Sequence, residues 1–374
     1  MSDKKQWRFD PLDSWFFREA RAFDTSGSHE LSSLFPPPAR TVAGAIRTLI
    51  GETQSVDWER FAQAGEYPDL KQQIGAGDNL GQLKITGPYP LWNGKRLYPA
   101  PLHLLAKAQE YVFLKPGEPV VCDLGKVRLP EKPRNSLPGA KPLENAWLNR
   151  ADLHRVLSGE FPQTVYYAKD LYDTEPRLGI ARNHAQRTAA DGLLYQTRHV
   201  RPRLELAIGA IVSGIAPELH PDQGVIRFGG EGRASAVTVE TTVPQWTPPV
   251  ITGGRLLLAL LTHADFGGDE LLPGWLLPGF APDRQGDVSV WRGQLHGIDL
   301  ILHSAVLGKA AREGGWDLLH QQPRPVVSLI PAGSVYFCTV VGDPKAAIDA
   351  LHGQHIGSDT ALGRGELAVG LWPS

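Results

Sequence analysis

Residues 255–264 read RLLLALLTHA. The aliphatic run Leu256 to Leu261 is far too short to cross a bilayer and reads as a β-strand. Downstream, GIDLILHSAVLG (297–308) and GSVYFCTVV (333–341) read as two further strands. Asp343-Pro344 then opens a helix through AAIDALHG that ends on Gly353, and ELAVGLW (366–372) is a last strand. With a short helix in the Gly/Pro-rich interval around DELLPGWLLPGF, the order becomes β-α-β-β-α-β, a ferredoxin-like unit.

Upstream, PQWTPPV (244–250) reads as a domain joint, preceded by strands at 204–215 and 234–243. The chain opens on a strand, WRFDPLDSWFFR (7–18), and FPPP (35–38) is too rigid for helix. Val42, Ile46, Leu49 and Ile50 then recur at helical spacing, with Thr41 as N-cap. Asn93-Gly94 marks a hairpin turn, 115–145 reads as an exposed loop or linker, and 147–157 as a helix. The expected class is α+β, in two domains, 1–245 and 246–374.

At 374 residues, two domains are the natural size. Gly (40) and Pro (31) are abundant enough to favour loops and hairpins over a helical bundle or solenoid. The net charge of −2 rules out a polycation, so any nucleic-acid contact must rest on a local patch. The cations are skewed to Arg, 25 against 13 Lys, which suits phosphates and base edges or reflects a GC-rich genome. Two cysteines, Cys122 and Cys338, fit a reducing compartment, and the charged N-terminus has no apolar leader. The expected location is the cytoplasm, with no membrane partner.

Catalytic motifs are missing. Gly308-Lys309 lacks the rest of a P-loop, and His29-Glu30 has Ser33 where a zinc protease needs its second histidine. Asp265, Asp269 and Glu270 suggest a hard cation or, more simply, a solvated loop. His352 and His355 lie a turn apart near Asp349, but Gly353 interrupts them. The expectation is no metal, no cofactor and no catalytic residue.

A local cluster of arginines does stand out. Between Pro176 and Arg203 lie Arg177, Arg182, Arg187, Arg198, Arg201 and Arg203 against one acid, Asp191, with His184, Tyr195 and His199 interleaved. Such a patch suits phosphates and unpaired bases, or is a solvated polar hairpin. RFGGEGR (227–233) and the Gly363-Arg364-Gly365 turn offer backbone amides to a phosphate chain, or form ordinary tight turns.

PLDSWFFREARAFD (11–24) followed by SLFPPPARTVAGAIRT (33–48) resembles subunit three of the type III-B CRISPR effector, the Cmr complex, in the RAMP superfamily. The resemblance recurs in order in LYPAPLHLL (97–105), the 176–202 segment, RFGGEGR, and GKAAREGGWDLLHQQPRPVVSLIPAGSVYF (308–337). It does not extend to 115–145. It implies two ferredoxin-like (RRM-like) domains with extended loops, and a β-hairpin insertion at about 176–203 that presses on guide RNA as a thumb. The implied function is a non-catalytic scaffold for antiviral defence. It would hold the 5′ tag of the crRNA and dock the large polymerase-like subunit and the backbone RAMP subunits.

On that basis the expected RNA-binding residues are Arg18, Arg21, Arg40, Arg47, Arg177, Arg182, His184, Arg187, Arg198, Arg227, Arg233, Lys309, Arg312 and Arg364. Trp15, Phe16 and Phe17 cannot all face one side of a strand, so two are expected in the core, with base stacking by any one the less favoured reading. Trp316 is expected to touch RNA or a partner. The alternative function is a metal-free endoribonuclease that processes guide precursors, with His184, His199 and Tyr195 as acid/base candidates. A third reading is a protein–protein adaptor.

Overall fold

The computed structural model describes residues 4–20, 30–134, 136–183, 188–241, 246–251, 253–269, 274–317 and 321–372, with backbone alone at 180–183 and 188–195. The fold is α+β and strand-rich, in several sheets. The chain forms two compact units, and both are discontinuous in sequence. The first holds Met1–Lys95, Ala168–Val243 and Arg312–Val327, and the second holds Arg96–Tyr167, Pro244–Ala311 and Ser328–Ser374. Residues 96–167, expected in the first domain, therefore belong with the C-terminal half.

Packing on the 255–260 strand explains that assignment. Leu256, Leu258 and Leu260 face one core with Leu300, Leu302, Tyr336, Cys338, and Ala347, Ile348 and Leu351 of the helix Pro344–Leu351. Leu257, Ala259 and Leu261 face a second core, with Leu153, Val156 and Leu157 of the helix Arg150–Leu157 and with Tyr98 and Leu104. A strand covered on both faces carries no polar alternation, which is why its sequence is an unbroken aliphatic run. The second cover is supplied by 96–167. Gly370 lets it approach, because a Cβ there would sit 2.8 Å from the Leu157 side chain.

The sheet of the second unit runs Ala281–Gln285, Val288–Leu295, Ile298–Val306, Val335–Val340, Arg255–Leu260, Leu367–Leu371, all antiparallel. The expected strands and the last helix are present. Asp343 caps that helix, accepting from the amides of Lys345 and Ala346. The short helix expected around DELLPGWLLPGF (269–280) falls partly outside the described residues, at 270–273, and has no counterpart in the described 274–280; the hairpin Ala281–Gln285/Val288–Leu295 follows. Residues 115–145 are not a linker. Lys115–Cys122 and Gly125–Glu131 pair as a hairpin that buries Val127 in the core.

The sheet of the first unit runs Gln223–Arg227, Ala234–Glu240, Lys5–Pro11, Leu206–Ser213, Lys84–Trp92, Lys95–Arg96. Taking the four main strands in chain order, the spatial order is fourth, first, third, second, as in the second unit. The helix Ala39–Thr53 follows the first strand and buries Val42, Ile46, Leu49 and Ile50. Its N-cap is Pro38, not Thr41, because the proline-fixed backbone carries the chain into the helix three residues earlier than expected. Asn93 and Gly94 both take positive φ in the expected turn (50° and 71°).

Candidate nucleic-acid interface

The arginine-rich segment is a long antiparallel hairpin, Tyr172–Asn183 with Thr188–Pro202, and Gln196–Arg198 of its second strand pairs in parallel with Glu30–Ser32. The hairpin is rooted by carboxylates that lie outside the 176–203 window. Asp13 accepts from Arg177 Nη2 at 2.9 Å, Arg201 Nη2 at 2.9 Å and Arg233 Nη1 at 2.7 Å. Glu175 accepts from Arg177 Nε at 2.7 Å and also from Arg201 Nε. Arg198 pairs with Glu30, and Arg203 with Asp173 at 3.2 Å. The Arg177 guanidinium above all, with Arg201, holds the Asp13 carboxyl down to about 2. Arg201 lowers Glu175 likewise, and Glu175 and Asp13 raise Arg201 in return. The excess charge read from the window is thus largely neutralised at the root of the hairpin.

RFGGEGR closes onto the same place. Gly230 N donates to the Phe16 carbonyl at 2.7 Å, and Phe228 N to the Arg233 carbonyl at 2.8 Å. Gly229 has φ +92°, and a Cβ there would lie 2.5 Å from the Phe16 oxygen. Its glycine serves this close approach to protein backbone, so the expected offer of amides to phosphate is reduced. Trp15, Phe16 and Phe17 are all buried, not two of three. Phe228 packs edge-on against Trp15 and Phe17, and Phe16 stacks on His199 at 4.9 Å. Three aromatics in succession reach core because the chain leaves the strand after Pro11 and loses its alternation.

His199 is 1% exposed. Its Nδ1 lies 3.1 Å from the Ser14 hydroxyl and its Nε2 3.1 Å from the Thr197 hydroxyl. Burial first, then Arg177 and Arg233, push it down to about 4, so it is neutral at physiological pH. Both ring nitrogens are committed to protein, which does not suit a base that must reach a 2′-hydroxyl.

A second group forms at the start of the first helix. Asp78 accepts from Arg40 Nη1 at 3.1 Å and Arg324 Nη1 at 2.6 Å, and Arg324 also pairs with Asp317 at 3.2 Å. Arg47 Nη1 donates to the Gly77 carbonyl at 2.9 Å, and burial lowers its pKa.

Arg18 is exposed beside its bridge to Ser33, and Arg227 and Arg312 are exposed in the first unit. Lys309 is exposed in the second unit. Arg364 departs from the expectation. It is 2% exposed and its Nη1 lies 3.1 Å from Asp359 and 3.5 Å from Asp265. The turn it occupies is packed inward, since a Cβ on Gly365 would sit 1.9 Å from the Ile356 oxygen. Arg21, His184 and Arg187 lie outside the described residues, as do the side chains of Arg182 and Tyr195.

Asp265 is engaged with Arg364 and with the Gly267 amide rather than in a cation cradle. His352 Nδ1 accepts from the Val369 amide, and His355 Nδ1 lies 2.9 Å from the Arg364 carbonyl. Sequence reading missed Asp13, Glu30, Glu175, Asp78 and Arg324. The available signal was Asp13 beside the aromatic block, but its partners lie more than 160 positions away.

Residues 7–372 match the family model described as CRISPR-associated protein (Cas_Cmr3). No curated protein matches the chain. A chain of the cryo-EM structure of the Type III-B Cmr-beta bound to cognate target RNA is 16% identical, with 97% of this chain and 96% of that chain covered and a TM-score of 0.50. A chain of the Type III-B Cmr-beta bound to cognate target RNA and AMPPnP, state 1, is 14% identical over 92% of this chain and 87% of that chain, at 0.48. A chain of the Csm3-Csm4 subcomplex in the type III-A CRISPR-Cas interference complex is 10% identical, over 91% and 94%, at 0.34. At 16% identity and a TM-score of 0.50, the first of these likenesses is one of fold. No helix among the described residues is long and apolar enough to cross a membrane.

Proposed function

The chain belongs to the Cas_Cmr3 family of CRISPR-associated proteins, and from that premise we propose that it is a non-catalytic guide-RNA scaffold of a type III-B effector. In this reading it holds the 5′ tag of the crRNA and docks the large polymerase-like subunit and the backbone subunits, in the cytoplasm. Each unit is a ferredoxin-like (RRM-like) domain reduced to one of its two helices: the first unit keeps the first helix, the second unit the last. The shared fourth-first-third-second strand order supports this.

The observation that carries the RNA assignment is the rooted hairpin. Its base is tied by Asp13 and Glu175 to the aromatic block and the glycine-rich loop. A hairpin held in this way projects its distal strands from a fixed base. The root arginines are positioning residues, and contact falls to Arg182 and Arg187 further along, with Arg227 and Arg18 on the same unit.

The test is RNA binding by the assembled complex carrying Arg182→Ala with Arg187→Ala. Affinity is expected to fall, and the log–log salt slope to become shallower by about 1.4 for two lost single-strand contacts. Unchanged affinity and slope would remove the thumb assignment. The endoribonuclease alternative gains no support from the buried, neutral His199.

A further inference from the structure

Trp316 is 51% exposed, and the described residues on either side of it are held by backbone and side-chain contacts. Trp316–Asp317 pairs with Gln322–Pro323 as a short antiparallel ladder. Arg324 N donates to the Gly315 carbonyl at 3.0 Å, and the Arg324 side chain reaches Asp317 and Asp78. Arg40 shares Asp78, so the ladder is fastened to the start of the first helix.

The other end of the segment lies beside Ala20, three residues past the aromatic block. A Cβ on Gly314 would meet the Ala20 Cβ at 3.1 Å. Ala20 lies two residues after Arg18, Arg18 bridges Ser33, and Glu30–Ser32 pairs with the arginine hairpin. Within the first unit, a continuous line of contacts therefore joins the hairpin, Arg18 and the ladder of Trp316.

We propose that Trp316 is a stacking platform for an unpaired base of the bound RNA strand. This rests on the RNA-scaffold reading above and deepens it. Every base offers a π-face, so an exposed indole binds single strands without needing a sequence. Arg312, exposed four residues upstream, supplies charge for an adjoining phosphate, whereas Arg324 is committed to Asp78 and Asp317 and positions the ladder. The anchored ladder also fixes the backbone that carries the ring before RNA arrives, which reduces the ordering cost of binding.

The experiment uses the assembled complex and a set of guide RNAs, each with 2-aminopurine at one position of the 5′ tag. In the wild type, one position should be strongly quenched. Trp316→Ala should relieve that quenching at that position alone and weaken binding about tenfold, while Trp316→Phe should keep most of both. With an abasic nucleotide at the same position, wild type and Trp316→Ala should bind equally. RNA bound normally with no position responding to Trp316→Ala would overturn the stacking assignment. So would loss of a subunit from the complex with RNA fluorescence unchanged, which would make Trp316 a protein contact. RNA bound by no variant, wild type included, would instead remove the scaffold reading itself.

Discussion

Asp13 binds three guanidiniums at once, so its substitution acts on three segments together. It is about half exposed, and each of its pairs is individually worth about 0.2–1 kcal/mol. Asp13→Asn should lower the stability of the first unit by about 1 kcal/mol, or Tm by about 2–4 °C, in a thermal melt near pH 7. The sign with pH follows from the depressed carboxyl. The contribution is present above the ordinary carboxylate pKa of 3.8 and is lost as pH falls through about 2. Wild type and variant should therefore converge in acid. His103 makes the opposite kind of case. Among the described residues neither ring nitrogen has a hydrogen-bond partner, the ring stacks on Phe113 at 5.0 Å, and burial pushes its pKa down to about 3. Folded His103 is neutral, whereas the unfolded residue takes a proton near 6.5, so the second unit loses stability as pH drops from 6.5 towards 3. His103→Leu should flatten that part of the pH–stability curve; an unchanged acid limb would show that His103 is not its source. Neither role was legible in the sequence, because both depend on neighbours brought in from distant positions.

Elements were legible where local chemistry decides them. The Asp343-Pro344 helix start, the Asn93-Gly94 turn and the 255–260 strand all stand where the residues put them. The hairpin at 115–131 was hidden by its prolines, lysines and glycines, because only Val127, with the partly buried Cys122, packs on the core cluster. The strands 281–295 were hidden for a similar reason, since the edge strand Ala281–Gln285 is largely exposed and has no apolar alternation to read. The glycine-rich loop shows how one motif hides two different demands. At Gly229 both a positive φ and the Phe16 carbonyl exclude a side chain, whereas Gly232 has a positive φ (66°) and open space around it. Gly232→Ala should cost about 1 kcal/mol in chemical denaturation, and Gly229→Ala distinctly more, with the hairpin root loosened as well. Equal costs would mean that the Phe16 contact does not constrain the loop.

At the scale of the whole chain, the family and its α+β class were readable from ordered blocks of sequence, but the division into units was not. A contiguous boundary near 245 places 96–167 in the first half, whereas the doubly covered 255–260 strand draws that stretch to the second. Segment 312–327 makes the reverse journey, fastened to the first unit through Arg324 and Asp78. Charge behaves in the same way. The window 176–203 looked strongly basic, and the carboxylates that neutralise its root come from Asp13, Glu30, Asp173 and Glu175, all outside that window. RNA affinity in a chain of net charge −2 must then come from a few placed contacts rather than a general field. The most direct test of the scaffold account is a titration of the assembled complex with guide RNA carrying a native or a scrambled 5′ tag, followed by anisotropy at two salt concentrations, with the RNA then run on a denaturing gel. The account predicts intact RNA, bound more tightly with the native tag and less tightly at high salt; RNA that is cut, or bound without regard to its tag, would contradict it.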